Sequence, residues 1–322
     1  VAERAINNVE LSIGGQRIDK HYQKWWRMYS ELYLDESKKA TWGKMTTAGD
    51  GKTVYLPLIF FFNRNPGLYL PLIALQYHEV RMDFDLASNF TTYLNAGVFK
   101  VWANYVYLDT EERRRFAQKG HEYLIEQVQH TGTDTVTSAG TKQVRLSYNH
   151  PVKELVWCFS NTQTNNGMWN FTTASTDANI KLESSTLASV SNCFVPPAYM
   201  GTPLVSTGLI GGTSQFTEEA VGPLNTFKLI LNGQDRFKEQ AGKYFNQVQP
   251  YNHHTGCPYP GIYSYSFALK PEEHQPTGTC NFSRIDNAQV QVVTAGTTNN
   301  AISMHMFATN YNVLRIQSGM GG

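Results

Sequence analysis

Apolar and polar positions alternate with a period of two in several stretches of this chain, and that period puts every second side chain on one face of a strand. Residues 3–13 alternate and stop at Gly14-Gly15-Gln16, a turn. In residues 79–86, Val80, Met82, Phe84 and Leu86 interleave with Arg81, Asp83 and Asp85, the pattern of a half-buried strand. Val144, Leu146 and Tyr148 share a face of residues 143–148, and Val290 and Val292 are in phase within residues 288–294. Strands are also expected at 121–129, 154–159, 227–231, 262–269 and 301–316.

Two apolar runs lack the alternation. Residues 55–62 (YLPLIFFF) are aromatic and branched and stop at Asn63-Arg64-Asn65-Pro66-Gly67, which predicts a strand entering a tight turn. Residues 100–108 (KVWANYVYL) predict another strand. Residues 70–75, with Pro71 near the start, suit a short helical turn. A different period governs residues 19–44, where Trp25, Trp26, Met28, Tyr29, Leu32 and Tyr33 recur every three to four positions, the spacing of an amphipathic helix. Asp109 with Glu112 three residues on forms a capping box, and Glu111 and Glu112 ahead of Arg113, Arg114 and Arg115 suit the helix dipole. The Arg triplet then reads as a solvated helix face and not as a phosphate clamp.

Three landmarks recur in the same order. VELSIGGQ is matched by KLILNGQ, YLPLIFFF by GIYSYSFAL, and VWANYVYL by MFATNYNVL. The Gly-Gln turn moves from 16 to 234 and the Asn-Tyr pair from 104 to 310, so two copies of one domain with different loop lengths are expected. The boundary falls at Lys119-Gly120, giving domains at 1–118 and 119–322, with long surface loops rich in Ser, Thr, Asn and Gly over 160–222. In the second copy the turn lies deep in the domain, whereas in the first it lies close to Val1. About 98 residues of the first domain are therefore expected upstream, and the natural protein is expected to be longer.

Composition narrows the class. With aromatics at 13% and many Thr, Asn and Gly, the chain is expected to be all-β, and its duplication, even strand spacing and long loops suit two tandem eight-stranded sandwiches. Charged residues are 16% and the net charge is +1, too little basic excess for direct nucleic-acid binding. No apolar run reaches the roughly 18 residues of a membrane-spanning helix. Cys158, Cys193, Cys257 and Cys280 lack CxxC spacing and read as free thiols of a reducing compartment.

No constellation points to catalysis, a cofactor or a metal. His121-Glu122 lacks the second His of HExxH, since residue 125 is Ile. His253-His254 lies near Cys257, but adjacent His residues point to opposite sides of an extended chain, and an exposed loop is the better reading. His78-Glu79 reads as a hydrogen-bonded structural pair. Asn89, Asn170 and Asn281 each begin an N-x-[ST] triplet and are candidate glycan acceptors, with Asn170 favoured by its loop setting and Asn281 expected to be structural.

Five segments in order, VELSIGGQRIDKHY, LPLIFFFNRNPGLYLPLIALQYHEV, NGQDRF, PTGTCNFSRIDNA and NYNVLRIQSGMGG, resemble the major capsid protein of large eukaryotic DNA viruses, most of all those of algal viruses of the chlorella-virus type. The resemblance covers most of the chain and weakens between about Asn161 and Gly222. It implies a double jelly roll, a structural and non-enzymatic role, and homotrimers of six-lobed outline. Such trimers tile an icosahedral shell against neighbouring capsomers, above minor capsid proteins and an inner membrane, after assembly in the host cytoplasm. It also implies glycosylation, at sequences that do not follow the N-x-[ST] pattern. A jelly-roll carbohydrate-binding module is the alternative, recognisable by a concave face of exposed Trp and Tyr beside a carboxylate or calcium site.

Overall fold

Strands are the commonest regular element among the described residues, as the period-two stretches predict. In this computed structural model the described residues are 2–46, 53–88, 90–95, 97, 99–136, 140–161, 223–256, 258, 261–294 and 302–322. The strands are β1 (Ile6–Ile13), β2 (Gln16–Tyr22), β3 (Val80–Leu86), β4 (His121–Val136), β5 (Thr141–Leu146), β6 (Pro151–Asn161) and β7 (Leu224–Leu231). They continue as β8 (Gln234–Asp235), β9 (Gln240–Ala241), β10 (Ile262–Ser266), β11 (Cys280–Asn281), β12 (Ala288–Thr294), β13 (Ile302–Gln317) and β14 (Met320–Gly321). The chain divides into two units, one of Val1–Arg27, Ser37–Val128 and Asn310–Gly322, the other of Met28–Glu36 and Gln129–Thr309.

In the first unit, β1 is the centre of an antiparallel sheet of order β2-β1-β3. The β1–β2 hairpin closes with Ile13 opposite Gln16. Gly14 and Gly15 between them have φ of 59° and 81°, the left-handed pair that a two-residue hairpin turn needs. β3 pairs along β1 from Val80 opposite Ile13 to Leu86 opposite Ile6. Val9, Leu11 and Ile13 are fully buried, so β1 carries the apolar face of this sheet.

In the second unit two sheets face each other. One has the order β5-β12-β7-β8, with β9 also on β7; in the other, β6 lies between β10 and β13, with β11 also on β6. Burial along β12 alternates strictly, with Ala288, Val290, Val292 and Thr294 inward. Facing them are Leu155, Trp157 and Phe159 of β6, Tyr263 of β10 and Met304, Met306 and Ala308 of β13. The Trp157 ring stacks on Phe227 of the opposite sheet at 4.3 Å between centroids. Burying a side chain of that size is worth about 1.5–3 kcal/mol, so this aromatic layer is the centre of the sandwich.

Both unalternating apolar runs depart from expectation. Residues 55–62 form no strand: Phe60 donates its N–H to Asn63 Oδ1 (3.1 Å) and the chain turns into the short helix Phe61–Arg64. Pro57 has no N–H for a ladder, and the Phe60 N–H is taken by the Asn63 side chain instead of a neighbouring strand. Residues 100–108 also pair with no described strand, and Val101, Trp102 and Tyr107 are 50%, 82% and 92% exposed. The helical stretch is shorter than its pattern. Residues 19–22 complete β2, and α1 (Gln23–Leu32) is separated from α2 (Glu36–Thr46) by residues 33–35. Trp25, Trp26, Met28 and Leu32 are buried at the predicted spacing.

Candidate functional site

The most concentrated chemistry sits on the sandwich of the second unit. β6 reads Val-Lys-Glu-Leu-Val-Trp-Cys-Phe from 152 to 159, and Glu154 in this apolar run is fully buried. A buried carboxylate needs a partner. It has two: Tyr33 donates its hydroxyl to Glu154 Oε2 (2.5 Å), and the His254 ring bonds Glu154 Oε1 through Nε2. The other ring nitrogen, Nδ1, meets Glu272 Oε1 at 3.0 Å. Glu272 is held in turn by the Thr255 N–H at 3.0 Å and by the Thr255 hydroxyl at 3.0 Å from Oε2. His254 is placed by its own N–H, which bonds Pro250 O as the helix Gln249–His253 ends.

The electrostatics follow from this sandwiching. Burial disfavours the imidazolium, but Glu154 foremost and Glu272 outweigh it, and the His254 pKa rises to about 9. The ring is a cation between two carboxylates, with its side chain wholly out of solvent. The sequence reading of an exposed His253-His254 loop is therefore corrected. His253 is half-buried, with Nδ1 at 3.0 Å from Leu269 O, and the His254 side chain is fully enclosed. Cys257 lies outside the described residues.

A second buried His lies in the first unit. His21 Nε2 is 3.0 Å from Asp19 Oδ2, and the ring stacks on Phe60 at 4.3 Å. Asp19 also accepts the Val128 N–H (3.0 Å) and the Lys20 N–H (2.8 Å) through Oδ1. His78 is hydrogen-bonded as expected, but to the Gly321 N–H (3.0 Å) and not to Glu79. At the helix Thr110–Gln118, Asp109 Oδ1 accepts the Glu112 N–H at 2.9 Å and Arg114 pairs with Glu111 at 3.2 Å, both at the surface.

Of the candidate glycan acceptors, Asn89 and Asn170 lie outside the described residues. Asn281 is exposed, but its Oδ1 accepts the Ser283 N–H (3.0 Å), and Ser283 Oγ accepts the His150 N–H (2.8 Å). Cys158 is buried and Cys280 is half-buried. Among the described residues, no group of three or more His, Cys, Asp and Glu side chains is placed to hold a metal ion, and no helix is long and apolar enough to cross a membrane.

The two facing antiparallel sheets of the second unit and the three-stranded antiparallel sheet of the first, with their likeness to solved capsid proteins, place the chain in the double jelly-roll class. Residues 112–322 match the model of the large eukaryotic DNA virus major capsid protein, and residues 1–109 match that of the major capsid protein N-terminus. The chain belongs to this family of major capsid proteins.

The major capsid protein of Paramecium bursaria Chlorella virus 1 is 43% identical over 362 residues, covering 100% of this chain and 79% of that protein. That of Phaeocystis pouchetii virus is 37% identical, covering 99% and 80%. Among solved structures, a quasi-atomic model of the PBCV-1 virus capsid is similar at a TM-score of 0.77 and 41% identity, over 100% of this chain and 83% of that one. The Faustovirus major capsid protein shares the fold at a TM-score of 0.64 with 13% identity, over 98% and 72%. The chain is thus a structural component of a large DNA virus shell and not an enzyme.

Proposed function

We propose that the chain assembles into homotrimeric, pseudo-hexagonal capsomers that pack side by side in an icosahedral shell. Minor capsid proteins and an inner membrane lie beneath, and synthesis and assembly take place in the host cytoplasm. The observation that carries this reading is the likeness, over the whole length of the chain at 41% identity, to a protein solved as part of a virus capsid. The duplication supports it. The β1–β2 and β7–β8 hairpins have the same two-residue turn, Ile13 opposite Gln16 and Leu231 opposite Gln234. Two copies of one design in each of three chains give six similar corners from threefold symmetry.

Light scattering on a sizing column, with electron micrographs of the same peak, tests the assembly. A trimer of six-lobed outline is expected. A monomer retained on immobilised glycans would instead favour the carbohydrate-binding alternative.

A further inference from the structure

The His254 cluster joins segments far apart in sequence. Tyr33 comes from Met28–Glu36, Glu154 from β6, His254 and Thr255 from the end of the helix Gln249–His253, and Glu272 from the loop after β10. A second observation shows how closely the first of these lies against the third. A Cβ on Gly256 would stand 2.6 Å from Glu31 O, 2.7 Å from Leu34 O and 2.9 Å from Leu32 O, so backbone meets backbone there. The Tyr33 ring also stands edge-on to the His254 ring at 5.1 Å.

The bonding needs one particular proton. A doubly protonated imidazolium donates from both nitrogens, to Glu154 and to Glu272. Hydroxide removing one proton leaves water and a neutral ring, one of whose nitrogens then turns a lone pair toward a carboxylate oxygen. Two carboxylates also lose the cation between them, at a site where the His254 side chain has no solvent contact. A buried pair broken from one side is strongly destabilised. We propose that Tyr33, Glu154, His254 and Glu272 form a proton-held clasp that keeps Met28–Glu36 on β6, and that loss of the single imidazolium proton in alkali releases this segment.

The groups facing the ring are Glu154 from β6, Glu272 from the loop after β10 and Tyr33 from Met28–Glu36, a segment that also carries Glu31 and Asp35. His253, on the helix of His254 itself, turns instead to Leu269 O. The sign is fixed by the direction of the shift. The folded value, about 9, lies above the ordinary 6.5, so the clasp is complete below about pH 6.5 and is lost as pH rises through about 9.

The test uses the full chain. NMR of the His254 ring across pH 5.5–10 reads the proton directly, and chymotrypsin cleavage after Tyr33 reads release. Cleavage after Tyr107, which is 92% exposed, corrects for the protease's own pH dependence. The ring should titrate near pH 9, and the Tyr33/Tyr107 cleavage ratio should rise about sixtyfold between pH 7 and 9.5. In His254→Gln the ratio should be high at both values. A ring that titrates at or below its ordinary pKa overturns the proposal, and so does a wild-type ratio that stays constant with pH. Both readouts on the unmodified chain decide the matter even where the variant fails to fold.

Discussion

Residues 101–108 and the central part of β13 spell a similar pattern, an Asn-Tyr pair among aromatic and aliphatic side chains, yet they end in opposite surroundings. Tyr105 is 66% exposed and Tyr311 is 5% exposed. Asn310 is fully buried and donates from Nδ2 to Gln127 Oε1 at 3.2 Å. Nothing in the local spelling separates the two. What differs is the neighbour: β13 lies in a ladder, and 101–108 pairs with no described strand. Strand propensity is thus a readiness to fit a pleated, half-buried surface, and the surface has to be there.

The largest expected effect tests that contrast directly. Tyr311→Ala should lose about 3 kcal/mol in urea unfolding, whereas Tyr105→Ala should change stability by less than about 0.5 kcal/mol. Equal losses at the two positions would mean that residues 101–108 are packed in solution.

A smaller effect compares the two hairpins. Gly14-Gly15 and Asn232-Gly233 have nearly the same φ values, 59° and 81° against 50° and 80°. Their first residues differ for reasons outside the turn. A Cβ on Gly14 would lie 2.3 Å from His78 Nδ1, whereas Asn232 has room and accepts the Asn287 N–H at Oδ1 (3.1 Å). Gly14→Asn should therefore cost about 2 kcal/mol, and Asn232→Gly only about 0.5–1 kcal/mol. In a His78→Ala background the Gly14→Asn penalty should shrink. If it does not, the ring is not what reserves position 14 for Gly.

The smallest pair of effects lies on the helix Thr110–Gln118. Asp109→Ala should weaken amide-exchange protection there by about 1 kcal/mol through loss of the cap. Arg114→Ala should leave it within about 0.5 kcal/mol, because an exposed ion pair is screened. A larger loss from Arg114 would show that the Arg triplet has a role beyond a solvated face.

The sequence was most informative where one face of a strand is buried and the other is not. β12 lies where its alternation puts it, because period two is the geometry of a pleat seen from its solvent side. β3 is the strand its pattern predicts, but Val80, Met82 and Phe84 are only half-buried and Leu86 is exposed. Unbroken apolar runs were less informative, since residues 58–62 (LIFFF) and 155–159 (LVWCF) look alike while only the second is a strand. Pro57 carried a usable signal, one missing ladder donor at the head of the first run. The His254 cluster was legible only in part. Lys153 and Glu154 inside an apolar strand announce that a charge must be matched in the core, but the matching His and Glu come from distant loops. A His beside a His near Gly and Thr reads locally as surface, and only tertiary packing buries it.

The tight turns also set a timetable. A hairpin such as β1–β2 joins residues adjacent along the chain and can close in about 1–10 μs. Trp157 meets Phe227 and Tyr263 only after long spans of chain are brought together, a search whose entropy slows folding. Until that search ends, the run Leu155 to Phe159 is an apolar ribbon open to any other nascent copy. For a protein needed in many copies at once, the interval between hairpin closure and sandwich closure is when crowding does the most damage, and it sets how fast the chain can safely be made.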